Sequence, residues 1–246
     1  MLGLFNGLQY EGASSADTSY ANTNISNVSF DGVNDYILIN CVKDYINVEE
    51  GTISAWVRLE ADAATTRVFS VQEDANNMIE LLWVGGSNYF RGKYRADGNS
   101  SLVNTAASTD YEDGNWYHVV MTWDIGSGDK VQMYLNGETA NNVTGLDDTA
   151  WTPARVYLGA KSDASASGFL TGLMDEVTIY REAKDSTWVT AAYNSGKPTD
   201  LTGEVGIIHS WRFEEGTGTS AVDTVRWCDG VLTNGAAFSA DNLLTM

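Results

Sequence analysis

At 246 residues the chain has room for one large β-sandwich or two small domains, and its 43% hydrophobic and 11% aromatic content supports a sizeable core. Fourteen Lys and Arg against 33 Asp and Glu give a net charge of −19, which repels nucleic-acid phosphates and anionic membranes and leaves carboxylates for divalent cations. No apolar stretch approaches the roughly 20 residues of a membrane-spanning helix, and 24 Gly with only 2 Pro suit many turns between short strands.

Residues 1–27, rich in Ser, Thr, Asn and Ala, read as an extended arm. Their apolar start has no preceding Lys or Arg and is shorter than a secretory h-region, so either a signal has been removed or the protein folds in a cytoplasm, and the second is the expectation. Strand signals follow as β-branched and aromatic runs bounded by Gly, Asn and Asp. Residues 36–42 (YILINCV) form a continuous apolar run. Residues 52–59 alternate, with Ile53, Ala55, Val57 and Leu59 on one face and Trp56 and Arg58 on the other. Residues 67–72, 77–84 and 88–95 repeat this pattern, with Gly85-Gly86 as a turn. Residues 115–124 and 130–136 make a further pair, and Asn136-Gly137 is a strong hairpin signal. Residues 154–160 and 169–180 add two more strands. Strands at such intervals indicate a sandwich or a barrel.

One segment predicts a helix, over residues 186–195. Asp185 or Ser186 caps it, Trp188, Ala191 and Ala192 share a face, and Gly196 and Pro198 end it. Cys41 and Cys228 match no zinc or redox spacing. In a reducing compartment two buried free thiols are expected in preference to a disulfide.

The order of segments resembles the laminin-G-like, concanavalin A-like family. SFDGVNDY at 29–36 is similar to the family's strand-turn, and EGTISAWVRL at 50–59 to its next strand. NWYHVVMTWD with the downstream YLNGE resembles its central hairpin, and GLMDEVTIYREAKD its closing strand before a helix. The resemblance covers residues 28–197 and implies an all-β, concanavalin A-like jelly-roll β-sandwich. Residues 207–235 (IIHSWRFEEGTGTSAVDTVRWCDGVLTNG) resemble the family's usual beginning, displaced to the end. Residues 28–246 are accordingly read as one sandwich, with 204–239 supplying strands usually found at the N-terminus. A circular permutation, a truncated second repeat and strand exchange with a neighbouring subunit each account for that order. The arrangement resembles virion proteins of bacteriophages.

The fold this resemblance implies also hosts β-glucanases, which resemble one another in an E-x-D-x-x-E strand whose paired carboxylates must lie about 5–5.5 Å apart for retaining chemistry. The pattern is absent: Glu60-Ala61-Asp62 has Thr65 where the second Glu is needed, and Glu73 and Glu80 would face opposite sides of a strand. His118 and His209 sit within strand runs and read as hydrogen-bonded structural histidines. Neither a transition-metal site nor a phosphate-binding loop is apparent.

Calcium is the one metal the resemblance implies. A structural ion would take a carboxylate from Asp175 and oxygens from the Asp31-Gly32 turn; without metal, both Asp side chains would instead satisfy turn amides. A carbohydrate site needs aromatic platforms beside amides. Trp83, Tyr89, Tyr94 and Trp151, with Asn99, flank Gly/Asn-rich segments and are the surface candidates, although such aromatics more often pack in cores.

The expectation is therefore a non-catalytic structural or adhesion protein of a bacteriophage virion surface, such as a capsid decoration or fibre subunit. Its partners would be other virion or surface proteins, further copies of itself, and glycans. The alternative is a carbohydrate-binding lectin module of a secreted or cell-surface protein.

Overall fold

A computed structural model describes residues 24–60, 65–106, 111–162 and 165–241. Its strands run, in chain order, β1 (Asn27–Asp31), β2 (Tyr36–Leu38), β3 (Glu50–Leu59), β4 (Thr65–Gln72), β5 (Met78–Val84) and β6 (Tyr89–Ala96). There follow β7 (Asn99–Asn104), β8 (Trp116–Asp124), β9 (Lys130–Leu135), β10 (Glu138–Thr144), β11 (Arg155–Leu158) and β12 (Thr171–Tyr180). After helix α1 (Ser186–Tyr193) come β13 (Ile207–Trp211), β14 (Ser220–Ala221), β15 (Gly230–Thr233) and β16 (Ala237–Ser239).

These strands form two antiparallel eight-stranded sheets. The first has the order β10-β9-β8-β3-β12-β1-β16, with β13 also paired to β12. The second has the order β14-β15-β2-β11-β4-β5-β6-β7. Between them lies one core to which Ile53, Ala55, Val57 and Leu59 of β3 contribute with Ile79, Leu81 and Trp83 of β5 and Phe90 and Tyr94 of β6. The protein is thus an all-β sandwich with one short helix, as the alternating runs predict.

Several local expectations are met and others corrected. Asn136 (φ 49°) and Gly137 (φ 82°) both take left-handed angles, the requirement of a two-residue hairpin between β9 and β10. Asp185 caps α1 by accepting from Trp188 N at 2.9 Å. Ala191 does not face inward: Val189 and Ala192 are the helix's buried positions. The run at 36–42 is strand only as far as Leu38, because Val42–Asp44 turn into a 3₁₀ helix. Of the proposed arm, residues 1–23 lie outside the described residues. Residues 24–27 are structural, with Asn24, Ser26 and Asn27 buried against the C-terminal segment and β12.

The C-terminal strands complete both sheets within the same chain. Strand β13 pairs with β12, β15 with β2 and β16 with β1. Trp211 and Phe213 are fully buried in the core. The cysteines are not free thiols: Cys41 and Cys228 form a disulfide with Cα atoms 5.8 Å apart. The pairing of β15 with β2 brings these distant positions together, a proximity that spacing alone does not reveal.

Candidate functional site

The outer faces of the two sheets differ. On the first sheet, outward-pointing Trp56, Trp116 and Leu173 form a cluster closed by Tyr193 of α1, whose ring stacks on Trp56 at 5.8 Å. Val120 and Tyr134 are covered by Val189. Within this layer His118 Nε2 and Ser54 Oγ lie 2.8 Å apart. Burial pushes the His118 pKa down to about 3, so the ring is neutral and sealed from solvent, as a structural histidine would be. His209 Nδ1 meets Asp223 Oδ2 at 2.7 Å, and both are buried. Despite burial, His209 and the Ser210 and Val225 amides hold the Asp223 pKa below its ordinary value.

An open cleft of about 490 Å³ lies between the β9–β10 turn and the end of α1, lined by Asn136, Glu138, Thr190 and Tyr193. Its one ring is Tyr193, which stacks on Trp56.

The second sheet turns a different surface outward. Alternation on β6 sends Phe90, Gly92 and Tyr94 into the core and leaves Tyr89, Arg91, Lys93 and Arg95 outside, half-buried. Gly92 is closely packed: a Cβ there would meet Met133 Sδ at 2.9 Å and Val103 Cγ1 at 3.0 Å, so these side chains would have to shift. Across the sheet, Glu80 pairs in register with Lys93, Leu82 with Arg91 and Met78 with Arg95. Glu80 is fully buried and accepts from Arg67 Nε and Lys93 Nζ, both at 3.3 Å. Arg91 donates to Asn104 Oδ1 at 2.8 Å and to the Tyr89 hydroxyl at 2.6 Å. Arg95 donates to the carbonyls of Gly98 and Ala75. Further along, Arg155 reaches the Ser162 carbonyl, and Tyr36 packs on Tyr157 with ring centres 4.8 Å apart. The face carries cations, the Asn104 amide and tyrosine rings tied to one another and to backbone carbonyls.

Of the carbohydrate candidates expected from sequence, only Tyr89 lies on this outer face. Trp83, Tyr94 and Trp151 are buried in the core and present no platform. Asn99 is exposed at the start of β7 and donates to Asp147 at 2.6 Å. Sequence reasoning missed Arg91, Lys93 and Arg95, although their alternation in YFRGKYRA is itself the signal.

The expected metal ligands do not converge. Asp31 pairs with Thr171, four residues along β12 from Asp175, and accepts the amides of Val33 and Asn34 in its own turn. Gly32 packs against Thr171. Asp175 instead meets residues from both ends of the described chain. A bulge in β12, with Glu176 at φ 47°, turns both acids toward Asn24, whose Nδ2 donates to Asp175 at 2.9 Å and Glu176 at 3.1 Å. Glu214 accepts from Ile25 N at 2.8 Å, and Arg212 lies 3.5 Å from Glu176. Burial and the Glu176 charge raise Asp175 well above the usual carboxylate range, and burial raises Glu214.

Asn24 Oδ1 and Glu214 Oε1 are buried without a hydrogen-bond partner among the described residues. Three carboxylates against one Arg, with spare oxygens, fit a hard cation in their chemistry. A tighter grouping, His209, Asp223 and Cys228, gathers its ligand atoms within 4.8 Å, but Cys228 is held in the disulfide.

With this geometry in place, residues 31–190 match the profile of the laminin G type 3 family, of the Concanavalin A-like lectin/glucanases superfamily. The chain belongs to this family. No curated protein sequence matches it. Among solved structures, it is similar to a candidate carbohydrate binding protein from Bacteroides ovatus, at 17% identity and a TM-score of 0.61. That alignment covers 87% of this chain and 60% of the Bacteroides protein. The heptameric SAP-like pentraxin of Limulus polyphemus aligns over 91% of this chain and 99% of its own, at 12% identity and a TM-score of 0.62. The CBM40 of the Ruminococcus gnavus IT-sialidase, bound to α2,3-sialyllactose, aligns over 67% and 96% respectively, at 14% identity and a TM-score of 0.54. These likenesses establish the jelly-roll fold of the family. Among the described residues no helix is long and apolar enough to cross a membrane.

Proposed function

We propose that this laminin-G-like chain is a non-catalytic carbohydrate-binding module acting at a cell surface or outside the cell. The observation that carries this reading is the outer face of the second sheet, where Arg91, Asn104, Tyr89 and Tyr36 are half-buried polar and aromatic groups held in place by their neighbours. Carbohydrate recognition needs such pre-positioned donors beside ring faces. Glycoside hydrolysis by the usual paired-acid route needs two carboxylates across the substrate. The eight strands of this sheet contain one acid, Glu80, and it is buried and ion-paired. Similarity to a sialidase carbohydrate-binding module lends the reading support. The Cys41–Cys228 disulfide favours an oxidising compartment over the cytoplasm. No feature of this face favours the virion-surface reading.

The test is a glycan array probed with the full chain, followed by titration calorimetry on the hits. Binding that is lost in the Arg91→Gln variant is expected; an array with no specific signal would count against the module.

A structural divalent cation, calcium by its preference for oxygen, is part of the proposal. Asp175, Glu214 and the Asn24 carbonyl oxygen would hold it and have their negative charge balanced. Because the folded-state pKa of Asp175 is raised, this group favours folding at low pH and opposes it as pH rises through the shifted value. Bound calcium reverses that opposition. At a concentration 100-fold above Kd, calcium should stabilise the fold by about 2.7 kcal/mol at pH 7, with a higher Tm in scanning calorimetry. The increment should shrink on acidification and disappear in Asp175→Asn.

A further inference from the structure

The strands of the second sheet carry five of the chain's 14 basic residues and one of its 33 acidic ones. The basic residues are Arg67, Arg91, Lys93, Arg95 and Arg155, all half-buried. A positive sheet face within a chain of net charge −19 is a local reversal of sign. Three of the five alternate along β6, so they project from the same side at intervals of roughly 7 Å.

Their hydrogen bonds define what remains available. Glu80 binds Arg67 and Lys93 together, offsetting one charge and fixing two side chains. Arg91 and Arg95 are held by an amide, a hydroxyl and two backbone carbonyls, all neutral acceptors. The guanidinium groups are therefore oriented without being neutralised. A guanidinium is planar and matches a carboxylate through paired N–H donors. The strongly acidic remainder of the chain opposes a long phosphate backbone, so the field favours a short anionic group reaching the β6 stripe alone.

We propose that the Arg91–Lys93–Arg95 stripe selects glycans bearing carboxylates, such as sialic or uronic acids. The inference rests on the carbohydrate-binding reading above and adds the charge of the sugar to it. Arg91 and Arg95 are two separate carboxylate seats at either end of the stripe, Lys93 is held between them by Glu80, and Tyr89 borders the seat at Arg91.

The experiment is titration calorimetry of the full chain at pH 7 against two matched pairs: oligogalacturonate and its methyl ester, and 3′-sialyllactose and lactose. At least one acidic partner should bind ten times or more tighter than its neutral counterpart, and that preference should shrink as salt is raised. The double variant Arg91→Gln, Arg95→Gln keeps part of each stem over Leu82 and Met78, and should remove the preference. Lys130→Ala, on the first sheet, should leave it intact. Equal binding of acidic and neutral members would overturn charge selection while sparing the carbohydrate reading. Binding of inorganic polyphosphate as tight as that of the acidic sugars would overturn it in favour of plain anion exchange. Absence of binding to all four sugars would remove the carbohydrate reading as well. Circular dichroism melts of each variant separate lost binding from lost folding; should the double variant unfold, Arg95→Lys, which keeps the charge but not the fork, must still weaken acidic binding.

Discussion

On the first sheet, Trp56, Val120 and Leu173 point away from the core and are roofed by α1. On the second, Met78 and Leu82 also point away from the core and are only 2% and 4% exposed, yet among the described residues no helix lies over them. Their cross-strand neighbours are Arg95 and Arg91, whose aliphatic stems cover apolar surface while the charged heads reach water. The same strand alternation thus yields a sealed, stabilising layer on one side and a charged, addressable layer on the other. A protein that must both stay folded and meet a ligand can divide those tasks between its sheets.

The comparison breaks most readily at Trp56. Trp56→Ala should cost about 3–5 kcal/mol in urea unfolding, since it empties the roofed layer. A cost below about 1 kcal/mol would mean that α1 does not stabilise that face. Next in size is the disulfide, which joins the chain after β2 to the chain before β15 on the second sheet: Cys41→Ser with Cys228→Ser should cost about 2–4 kcal/mol, read from the same unfolding curves. Glu80→Gln should cost about 1–3 kcal/mol by removing the charge that Arg67 and Lys93 share and turning an amide NH2 toward one of them. It should also blur any ligand preference of the β6 stripe.

Acid separates the layers more finely. His118 has its folded pKa depressed to about 3 from an ordinary 6.5, so its contribution is present above 6.5 and lost as pH falls toward 3. The slope in that window should reach at most about 1.4 kcal/mol per pH unit, and His118→Gln should flatten it. The smallest effect is expected at Arg95→Gln, within about 0.5 kcal/mol of the parent. A loss as large as that of Trp56→Ala would show that the second face is structural after all.

The alternating runs made β3, β5, β6 and β8 legible in the sequence, and Asp185 with Pro198 framed the helix. Strand β10, ETANNVT, was not legible, because it is polar along its length and is defined by pairing with β9. The aromatic candidates failed on parity: Trp83 shares a side with Ile79 and Leu81, and Tyr94 with Phe90, so both were committed to the core. Reading Arg91, Lys93 and Arg95 as the outward set would have forced that assignment. The surroundings of Asp175 were beyond reach for another reason. Asn24 lies 151 positions away, and a bulge at Glu176 re-aims the acids, so no local pattern announces the cluster.

The Cys41–Cys228 bond also determines how the molecule would carry tension. A pull applied ahead of β1 and beyond β16 follows the covalent path from residue 41 directly to residue 228. The intervening chain, with β3 to β12, the helix and the β6 stripe, lies off that path. Only β1, β2, β15 and β16 can be peeled before the load reaches the sulfur bridge. A ligand held on β6 would therefore stay on folded structure while the ends of the domain give way.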